Sequence, residues 1–371
     1  MNLVSDQLFN SVFKDKKILI TGHSGFKGSW LTLWLLELGA TVLGYSLKPD
    51  TSPNLFTELD FSEKIDNRFY DINDFDRLIE SIREFEPDYI FHLAAQPLVK
   101  KGYNDPMYTY KTNIMGTINV YEAVRSLNLP TIIITITSDK CYENKEWVYS
   151  YRENDPMGGY DPYSASKGCV ELITASYQKS YFNEGNYKHI KLASVRAGNV
   201  IGGGDWSDNR IVPDLVKSIN NNEAIILRFP NSTRPWQYVL DALSGYLHLC
   251  SQITTYGYQY TEGWNFGPGS TIDVNVKELA ESFIKQWDAL IDIKIQSDNV
   301  FHESNYLKLD ISKSNRLLNW VPNYSFNEMM EDTVHWYKNF YSGFNNHQEF
   351  SIDQIHKYVK LAKARNIVWS R

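Results

Sequence analysis

Lys17-Ile18-Leu19-Ile20-Thr21-Gly22-His23-Ser24-Gly25-Phe26-Lys27-Gly28 decides the fold. A short, largely apolar run ends in a glycine, as in a strand buried on both faces of a parallel sheet. Three glycines at GxxGxxG spacing follow. They open a stretch, Phe26 to Leu38, whose Trp30, Leu31, Leu33, Trp34, Leu35 and Leu38 suit a buried helix that Gly39 stops. Glycines let the backbone turn tightly and approach a pyrophosphate, whose charge the helix N-terminus favours. Gly22, His23, Ser24, Gly25, Phe26, Lys27 and Gly28 therefore read as a dinucleotide site, one residue wider than GxGxxG.

Outward from this unit the rhythm repeats. Thr41 to Ser46, Tyr89 to Ala95, Thr131 to Thr137 and Leu192 to Arg196 read as strands, and Met107 to Leu127 and Pro162 to Phe182 as helices. Such alternation predicts an α/β protein, a Rossmann doubly wound parallel sheet. From about Gly202 the rhythm fades into loops, with helical patterns at Lys277 to Leu290 and Phe326 to Phe340. The expected division is a dinucleotide-binding domain over 1–199, with 234–262 returning to it, and a smaller mixed α/β substrate lobe over 200–233 and 263–371.

Ligands of open α/β sheets bind beyond the carboxyl ends of the strands. Those ends carry the glycine turn, then Gln96-Pro97-Leu98, Ser138-Asp139-Lys140 and Ala197-Gly198-Asn199. The second strand ends in Tyr45-Ser46-Leu47-Lys48, with no carboxylate for an adenosine ribose, which leaves NAD and NADP both open. Asp71-Ile72 reads as an adenine contact. Tyr163 and Lys167 stand four apart and share a helix face. An ammonium there favours the phenolate, so the tyrosine can serve as a base. Tyr187 and Lys191 repeat the spacing in a polar stretch that leads into a strand, and read as a decoy.

The 371 residues are 43% hydrophobic and 22% charged, an ordinary globular composition. The net charge of −7 argues against a nucleic-acid partner, which needs a basic face. Cys141, Cys169 and Cys250 have neither CxxC nor metal spacing, the eight histidines show none either, and no metal is expected. The sparse cysteines fit a reducing, cytoplasmic setting. Residues Met1 to Lys17 lack a signal-peptide core, and no run approaches a membrane span. His92 reads as a hydrogen-bonded strand residue. Trp147 and Trp206 suit either a cleft or a core.

Gly22/Gly25/Gly28, His92-Leu93-Ala94-Ala95, Thr112 to Thr117 (TNIMGT) and Tyr163/Lys167 together resemble the extended short-chain dehydrogenase/reductase superfamily. Within it, TGHSGFKGSW (21–30), HLAAQPLV (92–99), TSDKCYEN (137–144), MGGYDPY (157–163), RAGNVIGGGDW (196–206) and RPWQ (234–237) resemble the CDP-glucose 4,6-dehydratase family. The resemblance spans nearly the whole chain. It implies NAD as a recycled cofactor, CDP-glucose as substrate and a homodimer paired through the 107–127 and 162–182 helices. It implies that Leu93, Ala94, Ala95, Gln96 and Asn113 line the cofactor site, and that Gln96, Asn199, Arg210 and Arg234 meet the substrate. Tyr163 would take the proton of the sugar 4-hydroxyl, Ser138 would hydrogen-bond that oxygen, and Asp139 would protonate the departing C6 hydroxyl. Sister enzymes acting on dTDP-glucose or GDP-mannose place a Glu where this chain has Lys140. Lys140 is then either a neutral C5 base or a charged stabiliser of the enolate. The competing readings are a dehydratase or epimerase of another nucleotide hexose, and an inactive nucleotide-sugar-binding regulator.

Overall fold

The structure is a computed structural model that describes residues 7–182, 185–269, 273–296, 306–343 and 346–371. Residues 1–6, 183–184, 270–272, 297–305 and 344–345 lie outside the described residues.

Seven parallel strands form the central sheet. They are β1 (Lys17–Thr21), β2 (Thr41–Ser46), β3 (Asp66–Phe69), β4 (Tyr89–His92), β5 (Ile132–Ile136), β6 (Lys191–Ala197) and, further along the chain, β10 (Gly263–Phe266). Their order is β10-β6-β5-β4-β1-β2-β3. Every residue of β5, IIITI, is buried, as a strand covered by helices on both faces requires. Between the strands run α1 (Phe26–Glu37), α2 (Leu55–Glu58), α3 (Phe75–Phe85), α4 (Val99–Asn104), α5 (Pro106–Tyr110), α6 (Gly116–Leu127) and α7 (Pro162–Tyr177).

The rest of the chain adds β7 (Val200–Ile201), α8 (Ile211–Asn221), β8 (Ile225–Leu227), β9 (Gln237–Tyr238) and α9 (Val239–Tyr256) ahead of β10. After β10 come α10 (Val276–Trp287), β11 (Ile293–Ile295), α11 (Ser312–Leu318), α12 (Phe326–Tyr341) and α13 (His347–Ala364). Helix α9 packs back on β5, β6 and α1, as its buried Leu, Val and Tyr residues demand.

Several sequence expectations shift. The strand after Tyr89 stops at His92, because Leu93 to Ala95 already form the loop beyond the sheet. The 107–127 helix is α5 and α6 joined by a wider π-turn at Lys111–Met115, and the 162–182 helix likewise ends in a π-turn at Gln178–Phe182. Strand β10, assigned from the sequence to the smaller lobe, pairs with β6 at the sheet edge. One apolar core is continuous through Ile18, Trp34, Trp264, Trp336 and Tyr358, so residues on both sides of the expected boundary share it.

The glycines at 202–204 are set by close packing. Trp30 Nε1 donates to the Gly203 carbonyl at 2.9 Å, and a Cβ on Gly203 would stand 2.0 Å from the Trp336 side chain.

Candidate active site

The strand order reverses between β1 and β4, the position where an α/β sheet opens a crevice. The turn Gly22–Gly28 leaves β1 there. Gly22 adopts φ +74°, and a Cβ on it would stand 2.8 Å from the Ala94 amide nitrogen. A Cβ on Gly28 would lie 2.2 Å from the Gly22 carbonyl. Both glycines are therefore needed for the turn to close. The Ser24 hydroxyl donates to the Leu47 carbonyl at 2.8 Å and receives the Ser46 hydroxyl, so β2 ends in hydroxyls beside the turn. The His23 ring is buried over Gly44 and bonds Asn67. Burial lowers it to about 4, which leaves the ring neutral. Phe26 reaches toward Gly202.

Asp71 and Ile72 follow β3. The Asp71 carboxylate caps its own turn at Asn73, its carbonyl accepts from the Tyr45 hydroxyl, and Ile72 packs on Gly116. Leu93, Ala94 and Ala95 line the loop after β4, half-buried. Gln96 and Asn113 are buried and act through other residues. Asn113 accepts from the Gln96 amide and donates to the Gln96 carbonyl and to Ser166 on α7. The Gln96 side chain donates to Thr109 and accepts from the Leu98 amide. These bonds brace the crevice wall. The π-turn that carries Asn113 is the kind of local widening often found at functional sites.

Tyr163 opens α7. Asp161 caps the helix by accepting from the Ser164 amide, and Pro162 holds its first turn. The Tyr163 phenol hydrogen-bonds Ser138, and burial pushes it up to about 12. Lys167, one turn on, donates to the Ile136 carbonyl at 3.2 Å and is lowered by burial to about 8. Burial is thus the leading influence on the phenol and holds it above its ordinary value.

Ser138 donates to Asp139 Oδ1 at 3.0 Å. Asp139 is buried, its Oδ2 lacks a hydrogen-bond partner, and burial holds the carboxyl above the usual carboxylate range. Lys140 follows in the same short turn, half-buried.

Lys27 faces this cluster. Burial first, then the charges of Lys167 and Arg210, lower it to about 7. Arg210 pairs with Asp205 at 2.7 Å and lies close enough to Tyr163 to sense its charge. Arg234 is buried, donates to the Thr233 carbonyl and acts on Asp139. The Asn199 carbonyl accepts from Gln237, fixing the loop after β6. Lys27, Lys167, Arg210 and Arg234 thus gather around Tyr163 and Asp139, which is the donor set that phosphate oxygens require.

Sequence reasoning missed Tyr246 on α9. It is buried, its hydroxyl has no partner, and it senses both Asp139 and Tyr163; Lys27 lies 5.9 Å from its ring centre. Nothing in its local sequence marks it. Trp206 belongs to an aromatic core with Trp336 and Phe340, and Trp147 stacks on Tyr151. His92 bonds Thr21 and Thr117 as a strand residue. Lys191 of the second YxxxK starts β6 at the far end of the sheet.

Among the described residues no helix is long and apolar enough to cross a membrane, and no cluster of three or more His, Cys, Asp or Glu could hold a metal ion.

The family model described as GDP-mannose 4,6 dehydratase matches residues 19–333. The chain is 47% identical to the CDP-glucose 4,6-dehydratase of Salmonella typhimurium strain LT2, over 88% of its own length and 91% of that protein's. In three dimensions it resembles an epimerase from Methanothermobacter thermautotrophicus, with TM-score 0.79 and 23% identity over 92% of this chain and 96% of that one. A dTDP-glucose 4,6-dehydratase from Streptomyces venezuelae, solved with NAD bound, superposes with TM-score 0.75 at 22% identity over 87% and 97% of the two chains. These likenesses fix the fold.

Proposed function

Since the chain belongs to the GDP-mannose 4,6-dehydratase family, we propose that it is a hydro-lyase that converts CDP-D-glucose to CDP-4-dehydro-6-deoxy-D-glucose with NAD. Identity of 47% to a CDP-glucose 4,6-dehydratase is the observation that carries this reading. The residues suit the cofactor: the Gly22–Gly28 turn has no room for side chains at Gly22 and Gly28, and Lys27 offers a cation beside it. Bound NAD supplies the hydride acceptor for C4 and the donor for C6.

The chain's own groups manage protons and charge. Tyr163 takes the proton from the sugar 4-hydroxyl while Ser138 holds that oxygen. A ketone at C4 acidifies the C5 hydrogen. Asp139, whose carboxyl burial holds above the usual carboxylate range, gives a proton to the departing C6 hydroxyl. Its Oδ2 has no protein partner to surrender. Lys140 serves C5, as base or as a charge facing the enolate. Lys27, Arg210 and Arg234 take the anionic oxygens of cofactor and substrate, with Asn199 on the loop beside them.

A homodimer is part of the same reading. Helices α5 and α7 pack together and, with the π-turn at Lys111–Met115, leave Met107, Tyr110, Met115 and Leu172 exposed, Met107 by 77% and Leu172 by 61%. Such a stripe of large apolar residues suits a self-complementary surface. Cytoplasmic residence rests on three unpaired cysteines and on a substrate made from nucleotides.

Incubation of the protein with NAD and CDP-glucose in deuterated water tests the assignment. The expected product is a 4-keto-6-deoxy sugar nucleotide labelled at C5, with no net NADH. Turnover of another sugar nucleotide alone would reassign the substrate. Binding without turnover would mark a regulator.

A further inference from the structure

A buried ion pair lies under the catalytic helix. Glu171 Oε2 and Arg196 Nη2 are 2.8 Å apart, and neither side chain exceeds 5% exposure. Glu171 follows Lys167 by one turn on α7, so both project from one helix face. Arg196 comes from β6. Room for its guanidinium exists because residue 263 is glycine: a Cβ there would stand 2.4 Å from Nη2.

The pair reaches both ends of the Ser138–Asp139–Lys140 turn. Thr137, just before it, donates to Glu171 Oε1 at 2.5 Å. Tyr142, just after Cys141, receives Arg196 Nη1 at 2.6 Å. Ser194 adds a bond to Glu171 Oε2 at 2.7 Å. Tyr142 in turn donates to Asn265, whose amide donates to the Tyr151 and Asp310 carbonyls. Buried ion pairs often contribute no more stability than apolar residues of the same volume, whereas paired charges impose direction. Their direction here fixes the catalytic helix against the catalytic turn.

We propose that Glu171 and Arg196 are positioning residues that hold Lys167 and the Ser138–Asp139–Lys140 turn in one frame, so that Tyr163 and Asp139 address the same sugar. The proposal rests on the dehydration reading. Electrostatics work in the same sense. The Glu171 carboxylate opposes the effect of burial on Lys167, as does Cys141, while His92 and Lys27 are the other ionisable groups that feel the Lys167 ammonium.

The test compares wild type, Glu171→Gln, Glu171→Asp and the apolar double variant Glu171→Leu/Arg196→Met, each with NAD and CDP-glucose. Reduced cofactor at 340 nm reports oxidation at C4, and C5 label reports elimination. The expected result for Glu171→Gln and for the double variant is a kcat about 10- to 10²-fold lower, as misplaced reacting groups produce, with KM nearly unchanged. The alkaline limb of kcat is expected to move to lower pH by about one unit, because Lys167 loses its carboxylate neighbour. Glu171→Asp should restore the limb. The double variant leaves no unpaired buried charge, so it answers the question if Glu171→Gln does not fold. A folded double variant with wild-type kcat and limb would overturn the proposal. No C5 label from the wild type would instead remove the dehydration reading itself.

Discussion

Tyr163, the base of the proposed reaction, sits in surroundings that make its phenol reluctant to ionise. Burial holds its phenol up at about 12, and Lys167 spends its ammonium on the Ile136 carbonyl. An oxidised nicotinamide bound in the crevice would supply a positive charge that favours the phenolate, which would couple proton removal to the loaded state. Tyr163→Phe is expected to lower kcat by about 10²- to 10⁴-fold, the usual worth of general acid–base catalysis, with NAD still bound as measured by fluorescence titration. Asp139 is opposite in kind, a carboxyl that burial shifts toward its protonated, donating form. Asp139→Asn should leave C4 oxidation largely intact and stall elimination. Reduced cofactor would then accumulate at 340 nm, whereas the wild type shows little. The identities of both residues were legible from their neighbours in sequence. Their proton affinities were not, because desolvation depends on what the fold places around them. Gln96 and Asn113 make the same point, since only their partners show that they brace the wall.

At the scale of elements, the β1–turn–α1 unit read correctly because its spacing is enforced by backbone contact. Gly28 has no space for a methyl group, with the Gly22 carbonyl 2.2 Å from its Cβ position. Gly28→Ala is expected to cost about 1–3 kcal/mol by overpacking and to weaken NAD binding, as a melting curve and a titration would show. The π-turns at Lys111–Met115 and Gln178–Phe182 were illegible. An inserted residue leaves the apolar periodicity on either side nearly unchanged. Strand β3 (DNRF) and strand β10 (GWNF) were also missed, since four-residue edge strands carry too few apolar positions to set a period.

Across the whole molecule, the C-terminal segment is tied back to the Rossmann layers through a buried acid. Asp241 on α9 accepts from the Tyr358 hydroxyl of α13 and the Asn323 amide, both at 2.6 Å. Burial outweighs those bonds and pushes the carboxyl up to about 7. A group raised in the folded state stabilises the fold at low pH and loses that contribution as pH climbs through its folded value. The melting temperature is therefore expected to fall between about pH 4 and 7, from the ordinary carboxylate range up to the folded value, and Asp241→Asn to flatten that slope. Assembly gives a second expectation at this scale: Leu172→Glu on the exposed α7 stripe should convert a dimer to monomers in light scattering. The sequence by itself determined the strand–helix alternation, the glycine turn and the Tyr163/Lys167 spacing, because each is written in residues that are near neighbours along the chain. Only the tertiary structure decided that Lys27, Arg210 and Tyr246 converge on one crevice, that Glu171 and Arg196 pair beneath the helix that carries Tyr163, and which way burial shifts the acids. Convergence joins elements far apart in sequence, and proton affinity follows from the water that this joining excludes.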